Sequence, residues 1–594
     1  LKKLIITFFL LSFCINIFAQ KLIRGPYLQM GTQTSLVIRW RTDTPTASKV
    51  SFGTSLNYST AKTDFTPKTE HEVVLNNLTP NTKYFYAIGN AQNQFQGDAN
   101  NFFYTLPPDN TTQKIRFLAL GDCGWSSETQ VKVKTEFLKY SENKPFHLAL
   151  LLGDNAYSVG NDEEYQTGFF NPYQELLKKT ILYPALGNHD YYSLMYENGQ
   201  YKGTYFNVFT NPTQGEIGGV PSASEAYYSY NYGNIHFIVL DSYGTEENQT
   251  KRLYDTLSPQ VQWLKKDLAA NKKKWTIAYW HHPPYGKADY DTDKVEELSL
   301  IRENLLRILE RNGVDLVLCG HAHVYERSYL IRRHYGKAAT FRAKIHGVSM
   351  SSGKYDGSTN SCPYIKQTHS GTVYVVAGSS AITRDRRAAD YPHPALFYSN
   401  YEKSGALIVE LEDNRLDAKW LCEDGVIRDN FTILKEVNKT EKLSVRKGES
   451  IQLNASWIGS YVWQDGKNTR QNSLSAINNA TKIFVTDDKK CLADTFQISV
   501  LPSAFYGTPL LNAFPNPSEN FVDISVEIPS ENNYTIMISD LQGNVLKTYE
   551  STFLKEGNHQ KRIPIDESLK NQEMILVNIF SENYRATKKI KILR

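Results

Sequence analysis

The chain has 594 residues, too many for one hydrophobic core and enough for about three to five domains. Its formal net charge is only +4, with 66 Lys and Arg scattered among 62 Asp and Glu, which excludes nucleic acid as an expected polyanionic partner. Six cysteines, at 14, 123, 319, 362, 422 and 491, are too few and too far apart for a disulfide framework, although a Cys362–Cys422 bridge stays open.

Taken in order, Lys2 and Lys3 precede an apolar run over 4–18, and Ala19 offers a small residue before Gln20, so residues 1–19 read as a secretory signal. The run is too short for a membrane anchor, and no other stretch has the character of a membrane span. Residues 20–107 carry a β pattern: 35–40 alternates as a half-buried strand ending in Trp40, and 49–52 and 72–75 add strands. The segment 78–84 leads into a further strand with Tyr84 set to form a tyrosine corner, so the module resembles a fibronectin type III sandwich, ended by Pro107-Pro108. It holds no cluster of titratable groups and reads as a packing domain.

Residues 114–435 alternate strands with helices. Helical periodicity covers 130–140, 258–270 and 294–311, the last closed by Gly313. Segments 228–241 and 371–377 are strand-rich and build a second sheet face, which argues an α/β sandwich. Five apolar runs end in polar groups: 115–120 in Gly121-Asp122-Cys123-Gly124, 148–152 in Gly153-Asp154-Asn155-Ala156-Tyr157, and 182–186 in Gly187-Asn188-His189-Asp190. The other two are 275–280, ending in His281-His282-Pro283-Pro284, and 314–319, ending in Gly320-His321-Ala322-His323. In an open α/β sheet the ligand crevice lies outside the carboxyl ends of the strands, so these five ends converge their Asp, Asn, His and Tyr side chains on one spot.

Oxygen and imidazole donors without clustered thiolates suit iron, manganese or zinc. One carboxylate, Asp154, has two oxygens with which to bridge two ions, and a pair about 3.5 Å apart can clamp both the attacking and the leaving oxygen of a phosphoryl displacement. A single Asp or His-x-His is more often a solvated loop or a satisfied core group. Five ligand-bearing strand ends in one order are not.

The ordered set Gly-Asp-x-Gly, Gly-Asp-x-x-Tyr, Gly-Asn-His-Asp, His-x-Pro and Gly-His-x-His resembles the calcineurin-like metallophosphoesterases, and Tyr157 narrows the resemblance to the purple acid phosphatases. The stretch from Gly320 to Arg327 strengthens it, and the likeness covers 21–435, because that family also carries an N-terminal fibronectin-like domain. The resemblance implies Fe(III) on Asp122, Asp154, Tyr157 and His323, and a divalent iron, zinc or manganese on Asp154, Asn188, His281 and His321. Two carboxylates and a phenolate against five positive charges leave a surplus that attracts a phosphate dianion. His189 is implied to hold the phosphate and protonate the leaving oxygen. His282 is either a supporting donor or a substrate contact, or it simply packs. Relatives often place another histidine in the loop after His-x-Pro, but 285–293 has none, and Lys287 or Tyr290 stands in its place. Cys123 and Cys319 read as small buried residues, and Glu326 with Arg327 as a structural ion pair.

Beyond 435 the composition shifts. Residues 440–502 form short alternating strands with a turn at Trp463-Gln464-Asp465-Gly466 and resemble an immunoglobulin-like spacer. Residues 508–594, with Ala513-Phe514-Pro515-Asn516-Pro517 and a hairpin signal at Asp540-Leu541-Gln542-Gly543-Asn544, look like the C-terminal sorting domain of the type IX secretion system. With the signal, that implies export through periplasm and outer membrane to a secreted or cell-surface location, with the secretion machinery as partner. The expected activity is hydrolysis of phosphomonoesters by a metal-bound hydroxide at acidic pH. Two alternatives stay open: a phosphodiesterase or nucleotide hydrolase with the same ions, and a cell-surface binding protein built on the phosphoesterase scaffold.

Overall fold

The apolar runs that end in glycine and a polar group form strands buried on both faces. In the computed structural model, which describes residues 20–593 apart from 110, 198–199, 245–251, 368–369, 502–510, 529–530 and 582–583, Ile115–Leu120, Leu148–Leu152 and Ile181–Ala185 lie side by side and parallel. The expected signal over 1–19 and the first residues of the expected sorting domain lie outside the described residues. A second sheet runs Tyr228–Tyr232, Ile235–Val239, Trp275–Tyr279, Leu316–Cys319, Val373–Ala377, Tyr325–Ser328 and Leu396–Asn400, with the pairs from Ile235 to Ala377 parallel.

Side chains alternate along each strand, and both sets are covered. Phe117, Leu148 and Leu150 meet Phe237, Ile277 and Leu316 between the sheets, where Phe117 and Phe237 touch edge-on at 5.5 Å and Tyr183 stacks on Tyr230 at 3.8 Å. Leu118, Ala149, Ile238 and Val317 face outward onto Val133, Phe137, Val261, Leu264 and Ile301 of the helices. The result is a helix–sheet–sheet–helix sandwich. Glu128–Ser141 starts where Ser127 accepts the N–H of Gln130, and Pro259–Ala270 where Ser258 accepts that of Val261. The expected single helix over 294–311 is two, Glu296–Asn304 and Leu306–Arg311, interrupted at Leu305. Gly313, at φ +77°, ends the second as Val314 N–H bonds back to Leu309 O at 3.1 Å.

The N-terminal β region extends the first sheet. Leu22–Gln29 pairs with Leu36–Gly53 and, at Leu28, with Ile181 of the central strands. Trp40 is fully buried and stacks on His71 at 4.7 Å. Tyr84 makes the expected corner, its hydroxyl accepting Thr79 N–H at 3.0 Å. Tyr27 and Tyr86 donate to Val208 O and Lys178 O, each at 2.7 Å, and fasten this region to the central domain.

Two pairings expected from the sequence do not form. Cys422 is a free, buried thiol, so no Cys362–Cys422 bridge exists. Glu326 and Arg327 do not pair with each other: on a strand, neighbours point to opposite faces. Arg327 makes a two-pronged contact with Asp429 at 2.6 and 2.8 Å, and Glu326 accepts Ser399 Oγ at 2.9 Å on the other side.

The chain divides into two compact units at Val437. The second, from Asn438, is sheet-rich. Its first part pairs Thr440–Arg446, Ala493–Leu501, Thr481–Thr486 and Val462–Trp463, with Trp463 stacked on Phe496 at 5.8 Å. Its last part has a three-stranded and a four-stranded sheet around Val522, Ile524, Ile538, Val577 and Ile590. Gly543, at φ +90°, turns the expected hairpin between Asn532–Ser539 and Val545–Leu554.

Candidate metal centre

The carboxyl ends of the parallel strands meet across the two sheets. Gly121 N–H bonds to Ala377 O at 3.2 Å, Asp122 N–H to Gly153 O at 3.1 Å, and Gly320 N–H to His281 O at 3.0 Å. Such close approach leaves no room for side chains at the glycines. A Cβ on Gly153, which also sits at φ +87°, falls 2.6 Å from His281 Nδ1, and one on Gly187 falls 2.2 Å from Asp154 Oδ1. Three polar residues here take the left-handed backbone that ordinary residues avoid: Asp122 at φ +56°, Asp154 at +53° and His321 at +68°. Each costs on the order of 1 kcal/mol, a cost found where a site over-determines its backbone.

The structure brings together the nine residues that the sequence reading assigned to metal or phosphate. Tyr157 hydroxyl lies 2.8 Å from Asp122 Oδ1, 2.9 Å from Asp154 Oδ2 and 3.3 Å from His323 Nε2. His281 Nε2 is 3.3 Å from Asp154 Oδ2, and His323 Nε2 is 3.3 Å from Asp122 Oδ1. His321 Nδ1 is 3.2 Å from Asn188 Oδ1. His189 donates its backbone N–H to Asp154 Oδ1 at 2.8 Å and holds its Nε2 3.9 Å from Oδ2. His282 stands behind, its ring 4.3 Å from that of His321 and its Nδ1 2.8 Å from Ser242 Oγ.

Acceptors outnumber donors in this cluster. His281 donates Nδ1–H to Leu152 O at 2.9 Å, which leaves Nε2 as a buried lone pair with no hydrogen-bond partner, facing a carboxylate. One phenol proton serves two carboxylates. The ligand atoms of Asp122, Asp154 and His281 all lie within 4.8 Å of one another. Acceptors so crowded favour a cation among them, so the donor set fits a metal. The electrostatics point the same way: burial disfavours charge on His281, but Asp154 and Asp122 outweigh it and raise it to about 9. Burial likewise opposes ionisation of Asp154, but His281 and His189 hold it well below the usual carboxylate range. Burial and both carboxylates push the Tyr157 phenol far up. Desolvation and neighbouring imidazoles keep His282 and His321 neutral.

Some supporting residues escaped the sequence reading. Asp190 accepts Gly187 N–H at 2.8 Å, Asn155 Nδ2 at 3.0 Å and Tyr165 hydroxyl at 2.6 Å, so it ties the loop of Asp154 to that of Asn188. It was visible as the last letter of Gly-Asn-His-Asp. Asp289 accepts His323 N–H at 2.9 Å and gave no sequence signal. Lys287, one of two stand-ins for the missing histidine, is taken up by Asp291, Asp293 and Asp390 at 2.7, 3.1 and 2.9 Å and does not reach the site.

Residues 115–325 match the calcineurin-like phosphoesterase family, and residues 24–105 match the purple acid phosphatase N-terminal domain. The stretch that carries the candidate metal centre is thus similar to calcineurin-like phosphoesterases, and the stretch before it to the N-terminal domain of purple acid phosphatases. Residues 512–593 match the secretion system C-terminal sorting domain. Purple acid phosphatase 15 of Arabidopsis thaliana is 30% identical over 284 residues, 43% of this chain and 49% of the relative. A phosphoenolpyruvate phosphatase of Allium cepa is 27% identical over 323 residues, 50% of this chain and 60% of that one. The chain thus spans about half the length of the first of these curated relatives. A purple acid phosphatase from yellow lupin seeds superposes with a TM-score of 0.54 at 16% identity, over 69% of this chain and 74% of that one, and so shares the phosphoesterase fold.

Proposed function

We propose that this phosphoesterase domain is a binuclear metal phosphatase acting on phosphomonoesters. The observation that carries the reading is the crowd of acceptors around Asp154, with the bare Nε2 of His281 turned towards it. One ion would be held by Asp122, Asp154, Tyr157 and His323, and the second by Asp154, Asn188, His281 and His321. Fe(III) beside a divalent iron, zinc or manganese suits three anionic groups and three imidazoles. Bound there, the ions would neutralise phosphoryl oxygens and lower the pKa of a water.

The chain's own residues supply the rest. His189 is partly exposed, and its Nδ1 is fixed on Ser158 O, so its Nε2 is free to carry a proton to the departing oxygen. His282, pinned by Ser242, packs its ring against that of His321, and we read it as a supporting donor or a substrate contact. We further read residues 20–107 as a fibronectin-like packing domain, 440–502 as an immunoglobulin-like spacer and 508–594 as the export signal of a secreted or surface-held enzyme.

The test is a side-by-side assay of phenyl phosphate and bis-phenyl phosphate with metal-loaded protein across pH 4–8. Faster turnover of the monoester, abolished by His189→Ala without loss of metal, is the expected result. A diester preference would move the protein to the phosphodiesterases. Turnover of neither would leave the scaffold reading.

A further inference from the structure

The metal centre is ringed by aromatic side chains, each leaning on a different site residue. Trp125 meets Tyr157 edge-on at 4.4 Å between ring centres, and Tyr192 meets His189 edge-on at 5.0 Å. Tyr243 lies parallel to His282 at 5.9 Å, and Tyr290 stacks on His321 at 4.2 Å with 21° between planes. Tyr192 is 52% exposed, and Trp125, Tyr243 and Tyr290 are half-buried, so all four keep surface for a ligand.

Tyr290 is the best placed of these. Its hydroxyl makes no hydrogen bond among the described residues, while the loop beneath it is braced from several sides. Lys287 is clasped by three carboxylates, Ala388 N–H bonds to Lys287 O at 2.9 Å, Thr292 N–H bonds to Gly286 O at 3.2 Å, and Asp289 holds His323 N–H. A rigid loop thus presents a π face beside an expected metal ligand. A histidine there offers a substrate a polar N–H; a phenol ring offers mainly flat apolar surface with two rotors to fix.

We propose that Tyr290, with Tyr192 and Trp125, recognises the organic part of the ester, and that the site selects phosphate esters whose leaving group carries a flat aromatic ring. The inference rests on the phosphatase reading above. Stacking on one such ring is on the order of a tenfold effect in affinity.

Phenylphosphonate and cyclohexylphosphonate separate this from catalysis, since they share charge and size, differ in flatness and are not hydrolysed. Calorimetry on the metal-loaded protein is expected to give about tenfold tighter binding of phenylphosphonate, retained by Tyr290→Phe and reduced to about twofold by Tyr290→Leu. Each phosphonate affinity is read relative to that for inorganic phosphate in the same variant, so a general disturbance of the centre through His321 cancels from the comparison. Tyr192→Leu, at a more exposed position, should give a partial loss and serves if Tyr290→Leu does not fold. Equal affinity for the two phosphonates in the wild type, or an undiminished preference in the leucine variants, overturns the proposal. If phenyl phosphate is not hydrolysed yet the phosphonate preference holds, the hydrolase reading falls and the aromatic recognition surface stands.

Discussion

Asp154 is in contact with four other groups through one carboxylate: Tyr157 hydroxyl, His281 Nε2, and the backbone N–H and ring of His189. The groups come from three loops, so the side chain is both a ligand candidate and the knot between those loops. Asp154→Asn keeps the size but replaces one oxygen with a donor that cannot bridge two cations. Metal content should fall by at least one ion per chain and turnover by about 100-fold or more. Unchanged metal content, measured by plasma emission on protein whose circular dichroism matches wild type, would remove Asp154 from the centre.

At the scale of elements, the strand ends were legible because their chemistry is local. An apolar run, a glycine and a ligand type fit in a few letters, and Gly153 and Gly187 are there because a Cβ would strike the neighbouring loop. What was not legible is pairing between distant segments. Arg327 finds Asp429, Lys287 finds Asp390, and Leu28 joins Ile181, and nothing near any of these residues announces its partner. The break at Leu305 was likewise hidden, since the apolar periodicity runs through it.

Glu326 shows what such a hidden environment does. It is fully buried, and burial outweighs the hydrogen bond it accepts from Ser399, raising it to about 7. A carboxyl raised on folding stabilises fully below its unfolded value near 4.5, and that contribution is lost as pH rises through about 7, up to about 3 kcal/mol. Glu326→Gln stays neutral throughout. Its melting temperature relative to wild type should therefore climb between pH 4.5 and 7, and a flat difference would mean that Glu326 is already ionised in the folded protein.

Across the whole molecule four other histidines act in the opposite direction. Burial holds His71, His147 and His334 down to about 4 and His393 to about 3. A histidine depressed on folding contributes stability that is present above about 6.5 and is lost as pH falls towards these values. These four groups, joined by ion-paired carboxylates held low such as Asp424 and Asp566, outnumber the raised carboxyls of Glu326, Asp190 and Glu310, so acid should destabilise the fold and set a lower limit on any acid optimum. Melting temperature is expected to drop between pH 6.5 and 4.5, less steeply in His393→Asn, whose side-chain oxygen can still accept Ala395 N–H. An acid-insensitive melt would show that these imidazoles are not held neutral.

The most direct measurement is the metal content and visible spectrum of the purified protein beside a Tyr157→Phe variant. Two metal ions per chain, with a broad visible band that disappears when the phenol is removed, is the expected result. Two ions without any such band in either oxidation state would take iron off Tyr157. Fewer than two ions after full reconstitution would contradict the binuclear centre itself.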